Sequence, residues 1–390
     1  MRKILFLTLL FALSLSFVSC RRSFDLRRLE KQRVLCAANL ALREIPVTIT
    51  AFHCPRSAGG LHDFYSEGDY WWPDPQNPDG PYIRRDGLSN PQNFIAHRLL
   101  LMRLSYHVPV MTAAFLLTRD GKYVKAVEKH LRAWFVDPQT KMNPDLLFAQ
   151  AIKGRTTGRS IGIIDGIHLI EVVQAVRVLE RQGQINAELL NAVKTWFRNF
   201  LNWLTTHPYG IKERDHGNNH STCWAAQVAA YALLVGDSTQ LHYVRKMFKT
   251  VLIPQQMAQD GSFPKELKRT KPYSYSLFNL QAMTVVCALA SVNNDLWYFR
   301  LPDGRGMEKA VRFMFPYIKD KFRWPYQKDI AYYDKWPVRD FSLLFAGVKY
   351  HHNEYLRVWQ KLPADPSDYE VLRNYFVRQP LLWQKELYSK

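Results

Sequence analysis

At 390 residues the chain is long enough for one large domain or two ordinary ones, and 47% hydrophobic against 22% charged residues, with no long charged block, excludes a disordered chain. Lys and Arg outnumber Asp and Glu by 53 to 34, a net charge of +19 that suits a polyanion: nucleic acid, an anionic membrane or an acidic polysaccharide. The basic residues are scattered, without a Lys/Arg-rich arm or an RNA-binding signature, which argues against nucleic acid.

In chain order, Arg2 and Lys3 precede an apolar run from Ile4 to Phe17, and the stretch FVSC ends in Cys20. This is the pattern of a bacterial lipoprotein signal over residues 1–20, predicting a lipidated Cys20 and an exported, single-domain chain over residues 21–390. An ordinary signal peptide is the alternative. Arg21 and Arg22 after Cys20 favour a periplasmic over a surface-displayed location, and the charge without the leader is still about +17. An exported, membrane-tethered protein seldom has nucleic acid as its main ligand, so the acidic polysaccharide leads. No later stretch reads as a membrane-spanning helix. Cys36, Cys54, Cys223 and Cys287 show no CxxC spacing, so neither a zinc ribbon nor a disulfide framework is indicated. An oxidising compartment permits one pairing, Cys36 with Cys54, without requiring it.

Residues Ala51 to Asn93 lack helical periodicity and are rich in Gly, Pro and aromatics. Within them, EGDYWWPDPQNPDGPYIRRDG places Tyr70, Trp71 and Trp72 side by side on a backbone stiffened by Pro73, Pro75, Pro78 and Pro81. Aromatic faces stack on sugar rings, and Arg84 and Arg85 can pair with carboxylates, although a lid packing its aromatics inward fits the same residues. Amphipathic helices follow, through Val124, Val127, Leu131 and Trp134, then Ile163, Ile167, Ile170 and Val173. The pattern recurs through Leu189, Val193, Trp196, Phe200 and Leu204, and through Leu241, Val244, Phe248 and Val251. Gly, Pro and Asp clusters separate these segments. Helix pairs with short links and few strand patterns predict an all-α fold, an incomplete (α/α) toroid with the long aromatic segment lining its cleft.

Three further stretches carry polar groups at helix starts. MNPDLLFAQAIKGRTTGRSIGIIDG sets Gln150, Lys153, Arg155 and Arg159 on a Gly-punctuated loop before an apolar helix, whose free N–H groups favour anions. KERDHGNNHSTCW crowds Glu213, Asp215, His216, Asn218, Asn219 and His220 at the mouth of an Ala-rich helix. His216 and His220 are spaced for metal ligation with Asp215 as a third ligand, but without an HExxH pattern no metal is expected. KELKRTKPYSYSLFNL places Arg269 six residues before Tyr275, close enough for the cation to favour the phenolate.

These stretches, with GNNHSTCW and the aromatic segment, resemble the alginate lyase superfamily of (α/α)-barrel polysaccharide lyases, most closely polysaccharide lyase family 38 of gut Bacteroides. The resemblance implies Tyr275 as catalytic acid and base, His220 and Asn219 beside the reacting uronate, Arg269 next to the tyrosine and Glu213 as a supporting carboxylate. Tyr273 competes with Tyr275 for the central role. No cofactor is implied. The reaction would be β-elimination on alginate, mannuronate-rich stretches favoured, or on glucuronan. Two other classes fit the sequence: a glycoside hydrolase using two of Asp165, Asp215 and Glu266, and a non-catalytic glycan-binding lipoprotein.

Overall fold

A computed structural model describes residues 24–389, so the expected leader and Cys20 lie outside the described residues. The first helices in chain order are α1 (Leu26–Ala41), α2 (Ala96–Thr118), α3 (Gly121–Phe135), α4 (Leu169–Arg181), α5 (Ala187–Thr206), α6 (Pro208–Arg214) and α7 (Asn219–Val235). They continue as α8 (Ser238–Met247), α9 (Ile253–Gln256), α10 (Pro264–Leu267), α11 (Pro272–Ala290), α12 (Asp295–Tyr298), α13 (Met307–Lys319) and α14 (Phe341–Lys349). The C-terminal part adds α15 (Asn353–Lys361), α16 (Tyr369–Asn374) and α17 (Gln384–Tyr388).

The helices form two layers, as the all-α toroid expectation requires. In the inner layer α2, α4, α7, α11 and α14 touch in that order, and the segment around Pro380–Trp383 closes against α2 and α4 while α17 closes against α14. These helices are buried on nearly every face; α7 carries Ala225, Ala226, Ala229 and Ala230, whose small side chains let neighbouring backbones approach. The outer layer is amphipathic: α1 and α3 pack on α2, α5 and α8 on α7, α13 on α11 and α15 on α14. Local sequence sets the ends. Asp120, Asn186 and Asn218 accept N-terminal N–H groups of α3, α5 and α7, and Gly236, at φ 78°, stops α7.

Four inner elements begin at the same end of the ring. Arg98 lies in the first turn of α2, Asp165 in the turn leading into α4, His220 in the first turn of α7 and Tyr275 in that of α11, and all four line one cleft. The positive ends of these helix dipoles therefore face a shared space.

Several expectations need correction. Long and apolar enough to span a bilayer by length and composition, α2 lies with most of its length inside the core. The helix expected through Ile163 and Val173 is 3₁₀ over Ser160–His168 and α-helical only from Leu169; a Cβ on Gly162 would fall 2.5 Å from the Ala149 carbonyl, so the turn is wedged against the neighbouring strand. The helix through Leu241 and Val251 passes through a wider π-type turn at Phe248–Leu252. Cys36 is exposed, Cys54 buried and both are free thiols, so the permitted disulfide is not formed.

The irregular aromatic segment is anchored by short strands. β1 (Tyr65–Glu67) pairs in parallel with β4 (Phe148–Ala151), and β2 (Trp71–Trp72) pairs with β3 (Ile83–Arg84) in antiparallel. Its polar groups are held from below: Arg98 pairs with Asp69 at 2.7 Å and with Asp165 at 3.0 Å, and Arg373 of α16 pairs with Asp69 and with Glu370. Burial alone would raise Asp69, but Arg373 and Arg98 outweigh it and hold the carboxyl down at about 2.

Candidate active site

The helix starts and the aromatic segment enclose a cleft of about 350 Å³. Its wall includes Tyr275, His220, Asn219 and Arg269, together with Tyr70, Trp71, Arg84, Gln150 and Arg159. These residues, all singled out in the sequence, thus meet in one space. Glu213 stands behind them, fully buried, and accepts a 2.6 Å hydrogen bond from His220 Nδ1. That bond leaves His220 Nε2 as the ring nitrogen free for the cleft. Burial raises the Glu213 carboxyl against the opposing pull of His220.

Four predicted contacts lie elsewhere. Trp72 donates from Nε1 to the Leu88 carbonyl and is covered by Arg85, Lys153 lies over Tyr82, and Arg155 lies over Trp71 while its Nε donates to the Tyr82 carbonyl. None of Trp72, Arg85, Lys153 and Arg155 lines the cleft; they brace the aromatic segment from outside. The alternation of β2 explains the split: adjacent Trp71 and Trp72 point to opposite sides of a strand.

Tyr275 is separated from its competitor by the helix turn. Tyr273 is fully buried, donates to the Tyr317 carbonyl at 3.0 Å and packs edge-on against Trp324 and Tyr333. Tyr275 instead meets the Tyr70 hydroxyl at 2.7 Å and receives a 3.2 Å bond from Arg269 Nη2, whose guanidinium carbon lies 4.3 Å from its ring centre. The expected bias toward phenolate is overturned. Burial raises Tyr275 well above its ordinary value and Tyr70 adds to it, while the lowering effect of Arg269 is smaller, that guanidinium being also engaged by Asp86 at 3.2 Å. The resting phenol is protonated.

Asn219 is chelated by Glu266: its backbone N–H donates to Oε1 at 2.8 Å and its Nδ2 to Oε2 at 2.6 Å. One amide hydrogen is left for a ligand, and Asn219 Oδ1 is buried without a partner. His216 lies against His220 with ring centres 4.7 Å apart, and burial followed by His220 lowers it to about 4. Asp215, the proposed third metal ligand, is exposed and chelated by Arg214. The hydrolase candidates fail in the same terms: Asp215 faces solvent, Glu266 is spent on Asn219, and Asp165 is held by Arg98 and by Ser66 at 2.5 Å.

Of the cleft arginines, Arg84 and Arg269 pair with Asp86, Arg98 with Asp69 and Asp165, and Arg373 with Asp69 and Glu370. Arg159 has no carboxylate partner among the described residues, and burial pulls it down to about 10. A guanidinium held half-buried without a counter-ion is a receptor for an anion. Sequence reading missed Arg373, Arg98, Asp69 and His168 in the wall. Arg98, a charge inside the apolar run AHRLLLMRL, carried a readable signal; Arg373 in YEVLRNYF looks like any solvated helix residue.

An inner ring of helices whose N-termini surround an anion-seeking cleft, with a phenol, an imidazole and a spare guanidinium facing one another, defines a polysaccharide lyase of the (α/α)-toroid class. The chain belongs to the alginate lyase family, whose sequence profile matches residues 48–324. An alginate lyase from Bacteroides ovatus, known from its crystal structure, is 30% identical, with a TM-score of 0.79 over 92% of this chain and 93% of that one. Alginate lyase A1-III, in a variant complexed with a tetrasaccharide, superposes with a TM-score of 0.59 at 12% identity, over 90% of this chain and 94% of that one. The same enzyme from Sphingomonas species A1 gives 0.54 at 12%, over the same shares of 90% and 94%. At that identity the likeness concerns the fold alone. No curated protein sequence matches the chain significantly.

Proposed function

We propose that the enzyme cleaves alginate by β-elimination, with mannuronate-rich stretches as its preferred substrate, and that it does so as an exported protein anchored through Cys20. The observation that carries this reading is the meeting of Asn219, His220, Arg269 and Tyr275 with the unpaired Arg159 in one cleft.

In a uronate chain the C5 proton is only weakly acidic until the neighbouring carboxylate is neutralised. Arg159 takes that carboxylate, with the spare Asn219 N–H and His220 alongside, so the charge spreading toward an enolate meets fixed donors. Tyr275, protonated at rest, gives its proton to the O4 leaving oxygen. In mannuronate the C5 proton and O4 lie on one face, so the same phenolic oxygen takes the C5 proton as its own proton passes to O4, and Tyr275 ends the turnover protonated as it began. In guluronate they lie on opposite faces, and His220 Nε2, backed by Glu213, would act as the base. Each turnover breaks the C4–O4 bond and leaves a C4–C5 double bond.

The test is Tyr275→Phe assayed on polymannuronate for the unsaturated product absorbing in the ultraviolet. The variant should fold normally and form no product; normal turnover would remove Tyr275 from the chemistry. Saturated products from the unaltered enzyme would overturn the elimination itself.

A further inference from the structure

We infer that Gln150 is a positioning residue whose neutral oxygens clamp Arg159 in a fixed direction while leaving its charge free for a substrate carboxylate. This rests on the cleft being a uronate site.

Gln150, in β4, has φ of 51°, a left-handed conformation that costs a non-glycine residue energy and persists only where surroundings enforce it. Here Ser66 and Asp165 enforce it. The Gln150 N–H donates to Ser66 Oγ at 2.8 Å, and its Nε2 reaches Asp165 Oδ1 at 3.4 Å. The conformation turns two oxygens of one residue toward Arg159. Its main-chain carbonyl accepts from Arg159 Nε at 2.9 Å and its Oε1 from Nη2 at 3.0 Å. Both bonds use one edge of the guanidinium, leaving the Nη1 donors available.

Trp71 supports the face of the same group, with Arg159 Cζ 5.9 Å from its ring centre. Space for this stack depends on residue 68 having no side chain: a Cβ on Gly68 would lie 2.7 Å from both Arg159 Nη2 and Trp71 Cδ1. Every other arginine lining the cleft is oriented by a carboxylate, which cancels much of its charge. A carboxylate at position 150 would orient Arg159 equally well, but it would compete with the uronate for the same donors. The choice of an amide separates orientation from neutralisation.

Gln150→Glu tests this by keeping the acceptor and adding the charge, and Gln150→Gly by removing the side-chain oxygen at a φ that glycine adopts freely. Both are measured with the unaltered enzyme on defined alginate oligosaccharides. For Gln150→Glu, KM should rise about tenfold and kcat fall with it, since Arg159 both holds the carboxylate and meets the charge that spreads from it. That KM should fall back toward the unaltered value as pH is lowered and the new carboxyl is neutralised; a KM rise of the same size at every pH would indicate mere misfit and overturn the inference. Gln150→Gly, folded by circular dichroism, should raise KM by about threefold or more through a loosened Arg159. Unchanged KM in either variant, or a loss confined to kcat, would overturn the positioning role. Absence of unsaturated product from the unaltered enzyme would instead sink the lyase reading beneath it.

Discussion

The hydroxyls of Tyr70 and Tyr275 meet at 2.7 Å, one carried by the irregular aromatic segment and the other by the first turn of α11. The segment between residues 51 and 93 therefore reaches the Tyr275 hydroxyl itself as well as lining the cleft. Burial pushes Tyr70 up to about 12, so at neutral pH both phenols keep their protons and only one proton can lie between the two oxygens.

Tyr70 also helps to raise Tyr275, through its proximity and the shared hydrogen bond. Tyr70→Phe should therefore lower the Tyr275 titration, and the alkaline limb of kcat/KM should move to lower pH, with kcat reduced about tenfold. Initial rates on polymannuronate across the alkaline range check this. An alkaline limb at its original position would mean that Tyr70 does not tune Tyr275.

Asp69 precedes this tyrosine and ties the segment to Arg98 and Arg373. Asp69→Asn leaves those buried guanidinium groups short of a counter-charge, at a cost of about 3–5 kcal/mol. The expected result is a lower urea midpoint and loss of activity together, because Tyr70 is displaced with its anchor. The native carboxyl titrates near 2 against an ordinary 3.8. Its stabilising contribution is thus complete above about pH 4 and disappears as pH falls through about 2. A variant as stable as the parent at pH 7 would show the network to be dispensable.

Much of this site was legible because it sits at helix starts, where Pro272, Asn218 and short polar runs punctuate apolar periodicity. Tyr275, His220, Asn219 and Arg269 are within a turn or two of such signals. Which side of a two-residue strand faces inward has no local signature, so Trp72 and Arg85 group in sequence with Trp71 and Arg84. Nor can spacing weigh burial against a nearby cation, which is why Tyr275 is more strongly protonated than its neighbour Arg269 suggests. Arg373 reaches the cleft from α16, 205 residues beyond the His168 that it meets there, through contacts that no local pattern encodes.

In the proposed mechanism His220 would distinguish the two uronates. Held by Glu213 through Nδ1, it keeps Nε2 free for the cleft, as a base for the guluronate C5 proton must. His220→Asn should lower turnover of polyguluronate by at least about 10²-fold, the scale of a lost general base, and reduce polymannuronate turnover less. Glu213→Gln, which keeps a hydrogen-bond acceptor for Nδ1, should show the same selectivity at smaller amplitude. Equal losses on both polymers would assign His220 to carboxylate binding alone.

His107 of α2 and His130 of α3 are buried edge to face, ring centres 5.5 Å apart, and His107 Nδ1 has no partner. Burial, joined by Arg103 and, for His130, by His107, lowers both to about 4, with Glu44 opposing weakly at His107. The unfolded chain takes up these protons near pH 6.5, whereas the native state refuses them until about pH 4. Stability must then fall as pH drops from about 6.5 to about 4, by up to about 3 kcal/mol per histidine, and be insensitive to this pair above that window. Urea unfolding at pH 7 and pH 4.5 should show this loss in the parent and a smaller one in the double variant His107→Gln, His130→Gln. The same pH slope in both proteins would mean that the pair titrates as freely in the native state as in the unfolded chain.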